Sequence, residues 1–326
     1  MSDRLYKAAV ITRTKDRGIL LERAIKSIHQ QTMQDFIHVI INDAGDAKIV
    51  DDLVEKYKDI IKGRVKVIHN AESHGMEAAS NKAIKSVDST YVAIHDDDDS
   101  WHPDFLKLTI GYMQKTSAQG VVVTTDRIEE SIAGGGVQEL RRERWMPNLR
   151  TLRLYDLCLA NFAVPISFIY RRSVYDDIGY YDESLPVCGD WDFALRFMRL
   201  YDIDLMHTEY ALAYYHHRPN AGGALGNSVF AGADKHEKYN TVLANKYLRE
   251  DVIKGGLGLG YLFNRRAEEK GIIDQLNQRC DEIERNIEGL RRLTIDRTDY
   301  KNKAKSIMKR ISPKLYKGIK RMRAGK

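Results

Sequence analysis

Over the first hundred residues, short apolar runs alternate with stretches whose apolar positions fall every three or four residues. AAVIT (8–12) reads as a strand. GILLERAIKSIHQQT follows with Leu20, Leu21, Ala24, Ile25 and Ile28 on one helical face. FIHVIIND and RVKVIHN read as strands separated by an amphipathic helix over 48–62. MEAASNKAIKSV reads as a helix and TYVAIH as a fourth strand. This alternation predicts a parallel sheet covered by helices on both faces. In such sheets ligands sit beyond the carboxyl ends of the strands. Here those ends are TRTKDR, NDAGD, HNAESHG and HDDDD, which converge on one rim.

Further along, PDFLKLTIGYMQK predicts a helix and GVVVTTD a strand, with a loop at AGGG (133–136) before RRERW. The pattern is mixed from 151 to 232. Within it DWDFALRFMRL starts a helix with Asp190 as the expected cap, and AYYHHR reads as a strand end. Beyond 234 the chain becomes helical. Ile273, Leu276, Cys280, Ile283, Ile287, Leu290 and Thr294 alternate at spacings of three and four. That seam suits either a second copy of the chain or packing back on the rest of the molecule. The end places Ile307, Ile311, Leu315, Ile319 and Met322 on one face among lysines and arginines. It predicts an interfacial membrane helix or a solvated basic tail.

Charge sharpens the division. The net charge of +6 is concentrated in residues 300–326, which hold eleven basic and no acidic side chains; the remaining 299 residues carry a net of −5. An anionic partner for the tail follows, a membrane in preference to nucleic acid. The three cysteines, 158, 188 and 280, show no CxxC spacing, so a reducing compartment is expected. The first apolar run is too short for a secretory signal, and no run reaches the length of a membrane span. A protein kept in the cytosol, peripheral on the inner face of the cell membrane, is the expectation.

The acidic stretch IHDDDDSWHP (94–103) poses the chemical question, because adjacent carboxylates raise one another's pKa. A solvated acidic turn is one answer. The other is a hard divalent cation completed by a phosphate-bearing ligand. No GxSxG, P-loop or GxGxxG opening a helix is present.

Taken in order, VITRTKDR with AIKSIHQQT, IINDAGD, HNAESHGMEAASN, HDDDDSWHP, CGDWDFALRF and YYHHR resemble a family 2 glycosyltransferase of the bacterial surface-polysaccharide type, over about residues 5–230. The resemblance implies a GT-A fold: a mixed, mostly parallel sheet flanked by helices, here with a C-terminal helical extension. It implies that Thr12, Arg13, Asp43 and Asn81 bind the nucleotide sugar, and that Asp96, Asp97 and Asp98 form the DxD motif. Asp98 would hold Mn²⁺ or Mg²⁺, with Asp96 toward the ribose and Asp99 beside the donor sugar. Asp190 is the implied general base, with Asp192 as runner-up turned elsewhere. His216, and after it His217, is the implied imidazole at the metal or pyrophosphate, and Arg218 a phosphate contact. Two departures stand out: Gly189 where the family has a glutamate, and Ser80 where it has an arginine.

The expected organisation is a transferase domain over 1–232, with donor half 1–126 and acceptor half 127–232, a helical extension over 233–298 and a basic tail over 299–326. The expected activity is inverting, metal-dependent and non-processive transfer from a UDP- or dTDP-sugar to a lipid-linked glycan. A homo-oligomer through 272–294 is a further expectation, and no nucleic acid partner is expected. The competing readings are a sugar-nucleotidylyltransferase and a non-catalytic nucleotide-binding scaffold.

Overall fold

The computed structural model describes residues 5–133, 136–219, 221–227, 233–314, 317 and 320. Its elements run β1 (Leu5–Thr14), α1 (Gly18–His29), β2 (Phe36–Asp43), α2 (Ala47–Lys56), α3 (Lys58–Ile61), β3 (Val65–Asn70), α4 (Met76–Lys85), β4 (Asp88–Ile94), β5 (Ser100–Trp101) and α5 (Phe105–Thr116). There follow β6 (Gly120–Val123), β7 (Thr125–Ala133), β8 (Gly136–Arg144), α6 (Leu154–Leu157), β9 (Phe168–Arg171), α7 (Val174–Ile178), α8 (Gly189–Met198), β10 (Ile203–Met206), β11 (Ala213–His217), α9 (Ala233–Lys254) and α10 (Leu259–Ile311).

Seven strands form one sheet in the order β10-β6-β9-β4-β1-β2-β3. β1 pairs in parallel with β2 and β4, and β2 with β3. These strands read as near-continuous apolar runs because both faces are covered: all eight residues of β2 are buried. β9 lies antiparallel between β4 and β6, so the sheet is mixed. Four residues inside SFIYRR carry no alternation, so this strand has no signature in the sequence. A second sheet, β5-β11-β7-β8, stands on the rim. There β7 and β8 pair antiparallel over their length, and RRER is strand, while residues 134–135 of the AGGG stretch lie outside the described residues.

One apolar cluster joins the sheet to α8, with Phe168, Tyr170, Tyr181, Phe193 and Phe197 packed ring against ring. Fully burying side chains of this size contributes about 1.5–3 kcal/mol each. Leu243 and Tyr247 of α9 and Leu259 and Phe263 of α10 belong to the same cluster. The first compact unit therefore runs to Arg266, past the end of the 1–232 segment read from sequence. The second unit begins at Ala267 and is helical to Ile311. Its seam residues Ile273, Leu276, Ile283, Ile287 and Leu290 are exposed. Leu315, Ile319 and Met322 lie outside the described residues. Among the described residues no helix is long and apolar enough to cross a membrane.

Candidate active site

The four aspartates occupy the turn between β4 and β5. Trp101 anchors it: the indole stacks on Phe105 at 4.0 Å and donates to the Ile166 carbonyl at 2.7 Å. The sequence suggested a cation as the group that offsets their charge. In the structure arginines take that place. Arg13 pairs with Asp96. Arg17 donates to Asp97 at 2.7 Å and to Asp98 at 3.2 Å. Arg218, fully buried, pairs with Asp98 and donates to Glu130 at 2.7 Å. Arg23 donates to the Asp98 carbonyl and to Glu130. Arg23 and Glu130 escape a reading of the sequence because they come from α1 and β7, with no local motif to mark them, whereas Arg17 closes the TRTKDR stretch that the sequence puts on the rim.

The charge states divide accordingly. Burial opposes ionisation of Asp98, but Arg17 and Arg218 outweigh it and hold that carboxyl below its usual range. Burial, reinforced by Asp98, pushes Asp97 up to about 7 against the pull of Arg17, and raises Asp99 well above normal. Glu130 stays ionised, at about 2, because bonds from His216 and Arg23 overcome its burial.

The adjacent histidines face different partners, as alternation along a strand requires. His216 engages Ser100 Oγ through Nε2 and Glu130 through Nδ1, each at 2.8 Å. Both ring nitrogens of His216 are thereby engaged within the protein. His217 shares the strand face of Tyr215, whose ring it meets edge-on at 4.2 Å. Asp99, Asp190, Asp98 and Asp96 all act on Tyr215 electrostatically. Asp98 acts in the same way on both imidazoles.

Asp190 lies in the first turn of α8. The residue that caps that helix is Cys188, in the left-handed region at φ +66° and without a side-chain cap. Asp190 is thus not the cap. Its Oδ1 accepts from the Trp191 amide at 2.9 Å and its Oδ2 from Asn161 at 2.8 Å. Burial raises its pKa, with Arg13 opposing. Asp192 is turned elsewhere, bound to Arg196, Lys246 and Tyr247.

The remaining predicted residues separate. Asp43 accepts from Asn70 (2.9 Å), Ser73 (2.7 Å) and the amides of His74 (3.1 Å) and Gly75 (3.0 Å). Those bonds prevail over burial and keep it ionised. Thr12 faces His38 at 2.9 Å, and Thr14 is the threonine that reaches Asp97, at 2.8 Å. The side-chain amide of Asn81 bonds to Tyr181 and Glu183, where it pins the segment leading to α8.

A divalent cation can be tested against this donor set. Every described donor to the Asp98 side chain falls on Oδ2, so Oδ1 is the hard oxygen left for a metal. Among the described residues no three His, Cys, Asp or Glu side chains converge as a metal cage. The residues fit a cation held chiefly by a bound diphosphate, not one held by protein alone.

Comparisons with known proteins bear on the family and the fold. The profile described as Glycosyl transferase family 2 matches residues 9–179, more than half of the chain. The uncharacterized glycosyltransferase YwdF of Bacillus subtilis strain 168 is 27% identical over 202 residues, which cover 60% of this chain and 70% of YwdF. The succinoglycan biosynthesis protein ExoW of Rhizobium meliloti strain 1021 is 36% identical over 94 residues, 28% of each chain. Among solved structures, S. aureus TarS 1-349 in complex with UDP-GlcNAc superposes with a TM-score of 0.57 at 19% identity, covering 74% of this chain and 66% of that one. Mannosyltransferase PcManGT from Pyrobaculum calidifontis, in complex with GDP-Man and Mn2+, gives 0.51 at 13% identity, covering 76% and 65%. At such identities the likeness is one of fold, and the chain spans less than two thirds of either solved protein. The ordered motifs, the α/β fold and the profile match together place this chain in glycosyltransferase family 2, with the GT-A fold.

Proposed function

We propose that the chain transfers a sugar from a UDP- or dTDP-sugar to a hydroxyl of a lipid-linked glycan, with inversion at the anomeric carbon. One observation carries the reading: Asp190, Asp96, Asp98 and Asp99 all lie near enough to act on Tyr215, and Asp190 and Asp96 both act with Arg13, which supports a base set beside a diphosphate site. The nucleotides and the Mn2+ in the TarS and PcManGT complexes support a nucleotide-sugar donor and a divalent ion.

In this reading Asp43 and its loop meet the base of the nucleotide, and Arg13 and Arg17 exchange their aspartate partners in part for phosphate oxygens. Asp98 and the diphosphate would hold Mn²⁺ or Mg²⁺, with His217 beside them. When bound, that ion supplies Lewis-acid stabilisation of the departing diphosphate. Asp190 takes the proton of the acceptor hydroxyl. The acceptor oxygen bonds to the anomeric carbon as the bond to the phosphate oxygen breaks, and the electron pair leaves with the nucleoside diphosphate. A raised pKa strengthens Asp190 as a base, and Asn161 and the Trp191 amide fix its plane. The acceptor half carries a cavity of about 270 Å³ lined by Trp145, Phe162, Arg150 and His207, suited to a sugar face and an anionic group.

The basic end of the chain would bind anionic lipid and so bring the reaction to a membrane, and the exposed seam would pair with a second copy. In a parallel pair Arg279 of one chain would lie opposite Glu284 of the other, a favourable g-to-e′ charge match. The activity is tested by turnover of a UDP- and dTDP-sugar panel with Mn²⁺. Release of nucleoside diphosphate is expected from wild type and not from Asp190→Asn, and equal turnover by both would overturn the reading.

A further inference from the structure

Helix α8 opens on a glycine for a reason that lies on another helix. A Cβ placed on Gly189 would stand 2.5 Å from Cδ and Oε1 of Glu77 and 2.6 Å from its Cγ, far inside contact distance. Glu77 belongs to α4 and is 3% exposed. Its Oε2 lies 3.7 Å from Arg13 Nη1 and has no hydrogen-bond partner among the described residues. The groups that face it are Arg13 of β1, Asp96 beyond β4, Asp190 and Asp192 of α8, and Tyr181 and Cys188 on the segment leading into α8.

Leaving a carboxyl buried and incompletely bonded is costly. Burial drives this one up to about 8, with Arg13 opposing and Asp190 reinforcing, so it carries a proton at neutral pH. A neutral carboxyl adds no like charge beside Asp190. The glutamate that the family motif places immediately before the base is absent from the local sequence. Here the carboxyl of residue 77 stands where a Cβ on residue 189 would lie.

We propose that Glu77 is the positioning residue of Asp190: seated on Gly189 and beside Arg13, its carboxyl fixes the first turn of α8 so that the base meets the acceptor hydroxyl. Residues 77 and 189 then form an exchangeable pair, one supplying the carboxyl and the other the space for it. The inference rests on Asp190 being the base.

The exchange is the experiment. Turnover of a UDP-sugar with Mn²⁺ is followed from pH 6 to 9 for wild type, Glu77→Gln, Glu77→Ala, Gly189→Glu and the double variant Glu77→Ala/Gly189→Glu, with Asp190→Asn beside them. Glu77→Ala is expected to lower kcat about 10²-fold with donor KM nearly unchanged, the scale of a small misplacement of a reacting group. Gly189→Glu alone is expected to lose at least as much. The double variant is expected to recover to within about fivefold of wild type. A double variant no better than either single one, while its Tm and its stabilisation by UDP match wild type, would overturn the inference.

Glu77→Gln decides the matter should the alanine variant fail to fold. Above about pH 8, ionised Glu77 draws Arg13 from Asp96 and the donor KM of wild type is expected to rise. In Glu77→Gln it is expected to stay flat, and an identical rise would overturn the inference. Wild-type turnover abolished in Asp190→Asn but untouched in Glu77→Ala sinks this inference alone. No dependence on Asp190 sinks the functional reading, and this inference with it.

Discussion

At the scale of single residues, the site is governed by which charges are left unpaired when one is removed. Glu130 accepts from Arg23, His216 and Arg218 at once. Glu130→Gln leaves Arg23 and Arg218 facing an amide, and breaking a buried ion pair costs about 3–5 kcal/mol. A loss of that size in urea unfolding at pH 7 is the expected outcome. The pH dependence follows from its folded pKa of about 2, below the ordinary 4.5. A depressed carboxylate contributes stability above its unfolded pKa and loses it as pH falls through the folded one. Wild type is therefore expected to lose stability between about pH 5 and 2, and Glu130→Gln to lose less over that window. For catalysis, Asp190→Asn is expected to lower kcat by about 10²–10⁴ while donor binding survives, as a thermal shift with UDP would show.

At the scale of elements, two devices hold the site in register. Asp192, fully buried, ties α8 to α9 through Lys246 at 3.1 Å and Tyr247 at 2.8 Å, and is held within α8 by Arg196 at 2.7 Å. Asp192→Ala is expected to cost about 3 kcal/mol or more. It should also lower kcat, because the helix that carries Asp190 loses its brace. Gly75 precedes α4 at φ +91° and ψ 166°, a region open essentially to glycine alone. Its amide is one of the four donors to Asp43. Gly75→Ala is expected to cost about 1–3 kcal/mol and to weaken UDP binding measured by calorimetry. Unchanged UDP affinity would separate Asp43 from nucleotide recognition.

At the scale of the whole molecule, the proposed self-association falls to the second unit. Two parallel seams would bring Cys280 opposite its copy, so oxidative crosslinking at that exposed thiol is expected. Light scattering should report two chains, and Leu276→Asp with Ile283→Asp should report one. The basic end is expected to sediment with anionic vesicles at 0.1 M salt and to be released at 0.5 M, since surface attraction falls with the Debye length. Binding to neutral vesicles alike would exclude the electrostatic account.

The sequence by itself determined the sheet's parallel half, the rim on which the polar strand ends meet, the aspartate turn and the helix start at Asp190. Each rests on local periodicity or on a short ordered motif, which neighbouring residues suffice to define. Only the tertiary structure decided what those groups touch. Arg218 meets Asp98 across 120 positions, and Glu77 fills the space above Gly189 across more than a hundred. His216 meets Glu130, which comes from a strand that carries no motif. β9 was hidden for the same reason, because a four-residue strand takes its conformation from β4 and β6 on either side and not from its own pattern. Charge compensation follows the same rule: the electrostatic cost of four adjacent acids is local and can be read along the chain, whereas the arginines that offset it are brought in by the fold.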